Sequence, residues 1–182
     1  MEAINLSKSR EAAYGAALGL ALAGDVPQSQ TLANDMEKRF PEDTSVKYIY
    51  LPTLRGLFAL KEGDPAKAID QLQIALPYEL GQPGIGQFGA LYPAYVRGLA
   101  HLALHQGAEA AVEFQKILNH RGLVAVDPVG AMARLQLGRA FMMYGDRGKA
   151  KTAYEDFLTL WKDADPDVPI LKQAKAEFAK LQ

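Results

Sequence analysis

The sequence predicts an all-α chain, an α-solenoid of about four helical hairpins closed by a C-terminal capping helix. Three observations predict it. Alanine and leucine, the strongest helix formers, number 29 and 24 among 182 residues. Three Gly-Asp pairs, Gly24-Asp25, Gly63-Asp64 and Gly145-Asp146, each end one Ala/Leu-rich run and open another. Glycine tolerates the left-handed backbone that stops a helix, and aspartate accepts the free amide protons that start the next. Finally, a glycine in the run before the turn is followed twelve positions later by an alanine in the run after it: Gly56 and Ala68, Gly98 and Ala110, Gly138 and Ala150. A repeated spacing of this kind is the mark of a stacked array.

The first hairpin takes helices over 8–23 and 26–39 and ends at Pro41. It is the weakest copy, with Ala17 in the glycine position, Ser29 in the alanine position and Ala33 where later units carry a large apolar residue. The second takes 44–62 and 65–76. Pro65, directly after Asp64, sits in the first helical position, where a missing donor costs nothing. The third takes 89–105 and 108–119. The fourth takes 128–144, opened by Asp127-Pro128, and 147–161. Pro52 and Pro93 fall inside or at the start of first helices. The apolar Tyr48-Ile49-Tyr50-Leu51 and Leu91-Tyr92 around them favour kinked helix over open loop, with a strand over 46–51 as the alternative. Over 168–181, Ile170, Leu171, Ala174, Phe178 and Leu181 share one stripe, as expected of the lid at the end of a repeat stack. The units are then 8–41, 44–80, 89–122 and 128–162 with a cap over 168–182, all within one domain covering 1–182.

Twenty basic and 21 acidic side chains leave a net charge of −1, which argues against a nucleic-acid partner. The absence of cysteine excludes disulfides and thiolate metal or redox sites and fits a reducing, cytoplasmic setting. Residues 12–24 carry no charge and follow Lys8 and Arg10, the outline of a signal peptide. Glu2 and Glu11 speak against it, and the run is too short to span a bilayer, so neither a leader nor a membrane span is expected.

Candidate chemistry is sparse. Residues 84–89 spell GxGxxG, but a helix and a loop lead into them rather than a strand, so they read as a connection or a binding loop, not a nucleotide site. His101 and His105 stand four apart, half of a metal site at most; without further ligands, His101 reads as a packed core residue and His120 as a helix-end group. No GxSxG is present, and Asp163, Asp165 and Asp167 lack the glycine and terminal glutamate of a calcium loop. Gly15 and Gly19 read as a close helix contact. Arg55 and Arg97 hold equivalent positions in neighbouring units; they form either a basic pair for a carboxylate ligand or, the favoured reading because arginines inside packed hairpins need partners, internal ion pairs with Glu62, Asp70 or Glu79. No cofactor is expected.

The pattern of Leu137-Gly138, Phe141, Gly145, Ala150 and Tyr154, echoed at Gly56/Ala68 and Gly98/Ala110, resembles the tetratricopeptide repeat over roughly residues 10–162. Unit spacings of 39, 42 and 40 depart from the family's usual 34, and no unit has the first-helix tryptophan. The stretches 39–44, 77–81, 90–95 and 157–167 are similar to the C-terminal repeat region of large bacterial eukaryotic-type serine/threonine kinases. That resemblance implies a non-catalytic piece of a signalling protein, scaffold or sensor, with any kinase activity outside this chain. Its alternative is a regulatory, small-ligand-sensing domain of such a kinase. The repeat resemblance implies that first helices line a concave face, which brings Tyr14, Tyr50, Tyr92, Tyr95, Arg139 and Met143 toward a groove for a protein or peptide; the alternative is that the four tyrosines pack between repeats. Tyrosine and arginine dominate binding hot spots, and methionine adapts to varied ligands.

Overall fold

In a computed structural model, which describes residues 7–81 and 91–181, every regular element is helical. In chain order these are α1 (Arg10–Ala23), α2 (Val26–Arg39), a π-helical turn (Val46–Tyr50) running into α3 (Leu51–Lys61), α4 (Pro65–Leu72), α5 (Tyr92–Ala103), α6 (Gly107–Asn119), a one-turn α7 (Arg121–Val124), α8 (Val129–Tyr144), α9 (Arg147–Leu160) and α10 (Pro169–Ala179). The short α7 was not expected from sequence. None of the described helices is long and apolar enough to cross a membrane.

The helices pair as α1 with α2, α3 with α4, α5 with α6 and α8 with α9. Each first helix packs on the first helix of the next pair, and each second helix also packs on that next first helix. All four pairs turn the same way. Gly24, Gly63 and Gly145 adopt φ of 96°, 80° and 90°. The following residue's amide then closes the turn at 2.9 Å, Asp25 to the Leu20 carbonyl, Asp64 to Ala59 and Asp146 to Phe141. Each aspartate also accepts an amide of the next helix, from Gln28, Lys67 and Lys149. In the third pair His105 takes the left-handed position at φ 57°, and Gln106 bonds the His101 carbonyl at 2.9 Å. The same turn is made there without glycine.

The twelve-residue spacing has a steric reason. Ser29, Ala68, Ala110 and Ala150 are all fully buried. Four residues further on, one turn along the same helix, comes the residue that meets the first-helix glycine. A Cβ on Gly56 would lie 3.0 Å from Leu72, one on Gly98 2.6 Å from the Phe114 ring, and one on Gly138 3.0 Å from the Tyr154 ring. In the first pair Ala17 stands at that position, and the partner has shrunk to Ala33, both buried, while Ser29 Oγ donates to the Ala17 carbonyl at 2.7 Å.

Of the two expectations about proline, helix through Pro52 holds and the one at Pro93 needs correction. The segment over 46–51 is not a strand; a π turn leads into α3, with the Leu51 amide bonding the Val46 carbonyl. The wider turn precedes Pro52, which has no amide to donate, so helix continues past it. Pro93 does not kink a helix: α5 begins at Tyr92, and Pro93 occupies its first turn. The expected start at 89–90 lies outside the described residues.

The main core runs through the four pairs from Tyr14 to Ala153. A second cluster, Leu135, Tyr154, Phe157, Leu171 and Ala174, seats α10 on α8 and α9.

Candidate functional site

The tyrosine face is closed, which corrects the expectation of an open groove there. Tyr14 is 0% exposed, and its ring stacks on that of Tyr50 at 3.9 Å and 8°. Tyr92 and Tyr95 are buried too, meeting edge to face at 6.4 Å, and Tyr95 meets Phe114 at 5.9 Å. The first helices come close enough for the rings of successive pairs to pack on one another, and the apolar area of four tyrosines favours that contact. Tyr92 donates its hydroxyl proton to Asp127 at 2.9 Å. The Tyr14 hydroxyl has no hydrogen-bond partner among the described residues; the nearby Thr53 hydroxyl donates to the Ile49 carbonyl at 2.6 Å. Burial pushes the Tyr14 phenol well above its ordinary range, and burial, then the Asp127 carboxylate, raises Tyr92. Both phenols remain protonated at neutral pH.

Arg139 is engaged rather than open. Its Nε and Nη2 donate to the two Glu177 oxygens at 2.9 and 2.8 Å, and Tyr154 donates to Glu177 at 2.7 Å, so the three latch α10 onto α8 and α9. Burial alone would raise the Glu177 carboxyl, but the bonds from Arg139 and Tyr154 outweigh it and hold it below the ordinary glutamate range. Of the six residues expected to form the groove, only Met143 is exposed, and it sits by Gly107 at the far end of α8, away from the tyrosines.

The other sequence candidates resolve locally. His101 is not packed in the core; its Nδ1 bonds the Gln106 side chain at 2.7 Å, within the turn that His105 makes. His120 Nδ1 bonds the Lys116 carbonyl. Arg97 pairs with Glu79, both 2% exposed, whereas Arg55 pairs at the surface with Glu37. Asp163 faces Lys162, and Asp167 faces Lys172. The GxGxxG at 84–89 lies outside the described residues.

An opening exists elsewhere, where second helices flank the last first helix. α6 and α9 both pack against α8, and a row of clefts remains between them. One, of about 330 Å³, lies by α7 and the turn at Ala125–Pro128, with Val124, Gly130 and Leu160 on its walls. The next, of about 440 Å³, lies between α6 and α9, floored by Leu137 and Phe141. A third opening continues past Phe141 along α6. Arg121 and Arg134 border both of the first two. The floor comes from one stripe of α8, Gly130, Arg134, Leu137 and Phe141, at helical spacing. Leu137 and Phe141 are visible in the sequence only as repeat-signature residues, so the role of the stripe as a floor was missed.

The rim has a strained turn. Ala125 adopts φ 47°, ψ −114°, and the Asp127 amide bonds the Val124 carbonyl at 2.9 Å. That is a tight turn whose first central residue is normally glycine. It leaves Val126 82% exposed and aims Asp127 inward, where it accepts from Tyr92 and from the Val129 amide.

No protein-family model matches this chain, and no curated protein or solved structure matches it.

Proposed function

We propose that this chain is a non-catalytic helical-repeat module, four hairpins of tetratricopeptide type closed by a cap helix, that holds a peptide segment of a partner protein in the cleft over α8. The observation that carries this is the row of clefts between α6 and α9 with its apolar floor of Leu137 and Phe141. The openings on either side of the middle cleft are lined mostly by apolar surface, and the middle cleft itself adds polar walls from Gln115, Asn119 and Thr152, the mixture that seats ligands. From Pro128 to Phe141 the floor spans about 20 Å at 1.5 Å per helical residue, the length of about six extended residues. The non-catalytic reading is supported by where reactive groups point. The hydroxyls of Ser29, Thr31, Thr53 and Thr152 each donate to a main-chain carbonyl. The placement within a bacterial signalling protein, beside a kinase domain, rests on the sequence resemblance, and the coding sequence flanking this chain tests it.

The test of the module itself is a random 12-residue peptide selection on the wild-type chain and on Gln115→Trp/Thr152→Trp. Both residues line the cleft walls from exposed positions, so the indoles fill the cleft without entering the core. Peptides enriched on wild type should lose binding to the filled variant, whose circular dichroism stays that of wild type. Enriched peptides that bind both equally would move the site elsewhere.

A further inference from the structure

We propose that the segment held over α8 carries an aspartate or glutamate side chain at its middle, flanked on both sides by apolar residues, and that Arg121 and Arg134 receive it. This rests on the cleft reading above and specifies its occupant.

The described arginines fall into two groups. Arg10, Arg39, Arg55, Arg97 and Arg139 each pair with a carboxylate, and Arg147 bonds the Lys180 carbonyl. Arg121 and Arg134 form no ion pair among the described residues. Arg134 gives one donor, Nη1, to the Gly130 carbonyl at 2.8 Å. A guanidinium has five donors in a fork that matches a carboxylate, so both keep capacity on the cleft side. Five of the eight arginines find acids; of the three that do not, Arg147 is spent on a carbonyl near the chain's end, and the other two meet at a single junction, which marks the place where an acid is to come from outside.

Three other charged residues border these two clefts. Asp127 borders the first cleft, and its Oδ1 accepts from Tyr92 and from the Val129 amide. Lys149 on the α9 wall is paired with Asp146. Asp156 on the α9 wall lines the second cleft one helical turn from Leu160 and, among the described residues, forms no ion pair with Arg121 or Arg134, whose donors stay available.

Position decides between a side-chain carboxylate and a chain end. Arg121 and Arg134 lie where two clefts meet, with Val124 and Leu160 on one side and Leu137 and Phe141 on the other. A C-terminal carboxylate held there would end the ligand at the junction and leave one arm empty. A carboxylate in mid-segment lets apolar neighbours fill both arms, and their contacts exclude water from the ion pair, which strengthens it.

The selection above separates this inference from the reading it rests on, once Arg121→Gln/Arg134→Gln is added as a third target. Expected is enrichment of peptides with a central Asp or Glu between apolar residues. Their affinity should fall about tenfold or more on the double glutamine variant, the size of losing a charge-assisted bond, and should weaken with added salt on wild type. Replacing the central Glu of the best peptide by Gln should cost the same on wild type and nothing on the glutamine variant. Peptides that the tryptophan fill abolishes, but that lack a central acid or bind the glutamine variant unchanged, overturn this inference and leave the cleft reading standing. No enrichment, or enrichment indifferent to the fill, overturns both. A second copy of this chain in the cleft would appear as a dimer in sedimentation that the fill dissolves, and that result also overturns the peptide assignment.

Discussion

Arg97 on α5 reaches back eighteen residues to Glu79, donating to both carboxylate oxygens at 3.1 and 2.8 Å with both side chains 2% exposed. It also bonds Glu113 at 2.7 Å and the Leu72 carbonyl at 3.4 Å, and Lys116 closes the ring on Glu79 at 2.8 Å. One guanidinium thus ties the end of α4, the segment after it, α5 and α6 into a unit. The energetic weight of such a group lies in breaking it, because a lone buried charge is left behind. Arg97→Met should cost about 3–5 kcal/mol in urea unfolding, and Arg97→Met/Glu79→Leu should recover most of that. A loss below about 1 kcal/mol for the single variant would show that the network carries little.

The repeat packing makes a graded prediction at its glycines. Gly98→Ala puts a methyl 2.6 Å from the Phe114 ring, which is buried and cannot turn away. It should destabilise by about 1–3 kcal/mol. Gly56→Ala meets the flexible end of Leu72 at 3.0 Å and should cost less. Gly98→Ala/Phe114→Leu should regain stability relative to Gly98→Ala alone. Equal costs at positions 56 and 98 in denaturant titrations would contradict this ordering.

The turn beside the cleft predicts a gain. Ala125 holds a backbone conformation that glycine adopts without a steric penalty. Relief of that strain, less the extra freedom glycine gives the unfolded chain, should raise stability by about 0.5–1 kcal/mol in Ala125→Gly. Ala125→Val should lower it. A glycine variant less stable than wild type would mean that the alanine is not strained.

The α10 latch makes a pH prediction. Glu177 is held below its ordinary value of 4.5, so it binds fewer protons in the folded state than in the unfolded one. Its contribution is complete above about pH 4.5 and is lost as pH falls through the lower folded value. Stability should therefore drop on acidification, and Glu177→Gln should flatten part of that drop. At neutral pH the variant should lose about 1–2 kcal/mol, since the carboxylate is partly solvated. Identical acid slopes for wild type and Glu177→Gln would remove the latch from the account.

What was legible in the sequence was local. The Gly-Asp turns follow from the conformational needs of two adjacent residues, and the spacing from Gly98 to Ala110 follows from the geometry of one hairpin. The Arg97–Glu79 pair could be anticipated because an arginine in a packed hairpin needs an acid. Helical phase correctly grouped Tyr14, Tyr50, Tyr92 and Tyr95 on related faces, but phase says nothing about how near the next first helix comes. That distance decides between a groove and a core, and here Tyr14 and Tyr50 stack. The cleft was illegible for the converse reason. It is a gap between α6 and α9, which are separated by the whole of α7 and α8, and Arg121 sits on a single-turn helix too short to show periodicity. His105 escaped notice because its left-handed turn is made without the glycine that marks the other three.

The claim that a partner segment binds over α8, and not on the tyrosine face, is tested most directly by amide chemical-shift mapping of the wild-type chain with the tightest selected peptide. The account predicts shifts confined to the C-terminal half of α6, to α7 and the Ala125–Pro128 turn, and to the facing residues of α8 and α9 around Arg134, Leu137 and Thr152. Shifts centred on α1, α3 and α5 around Tyr14, Tyr50 and Tyr92 would contradict it.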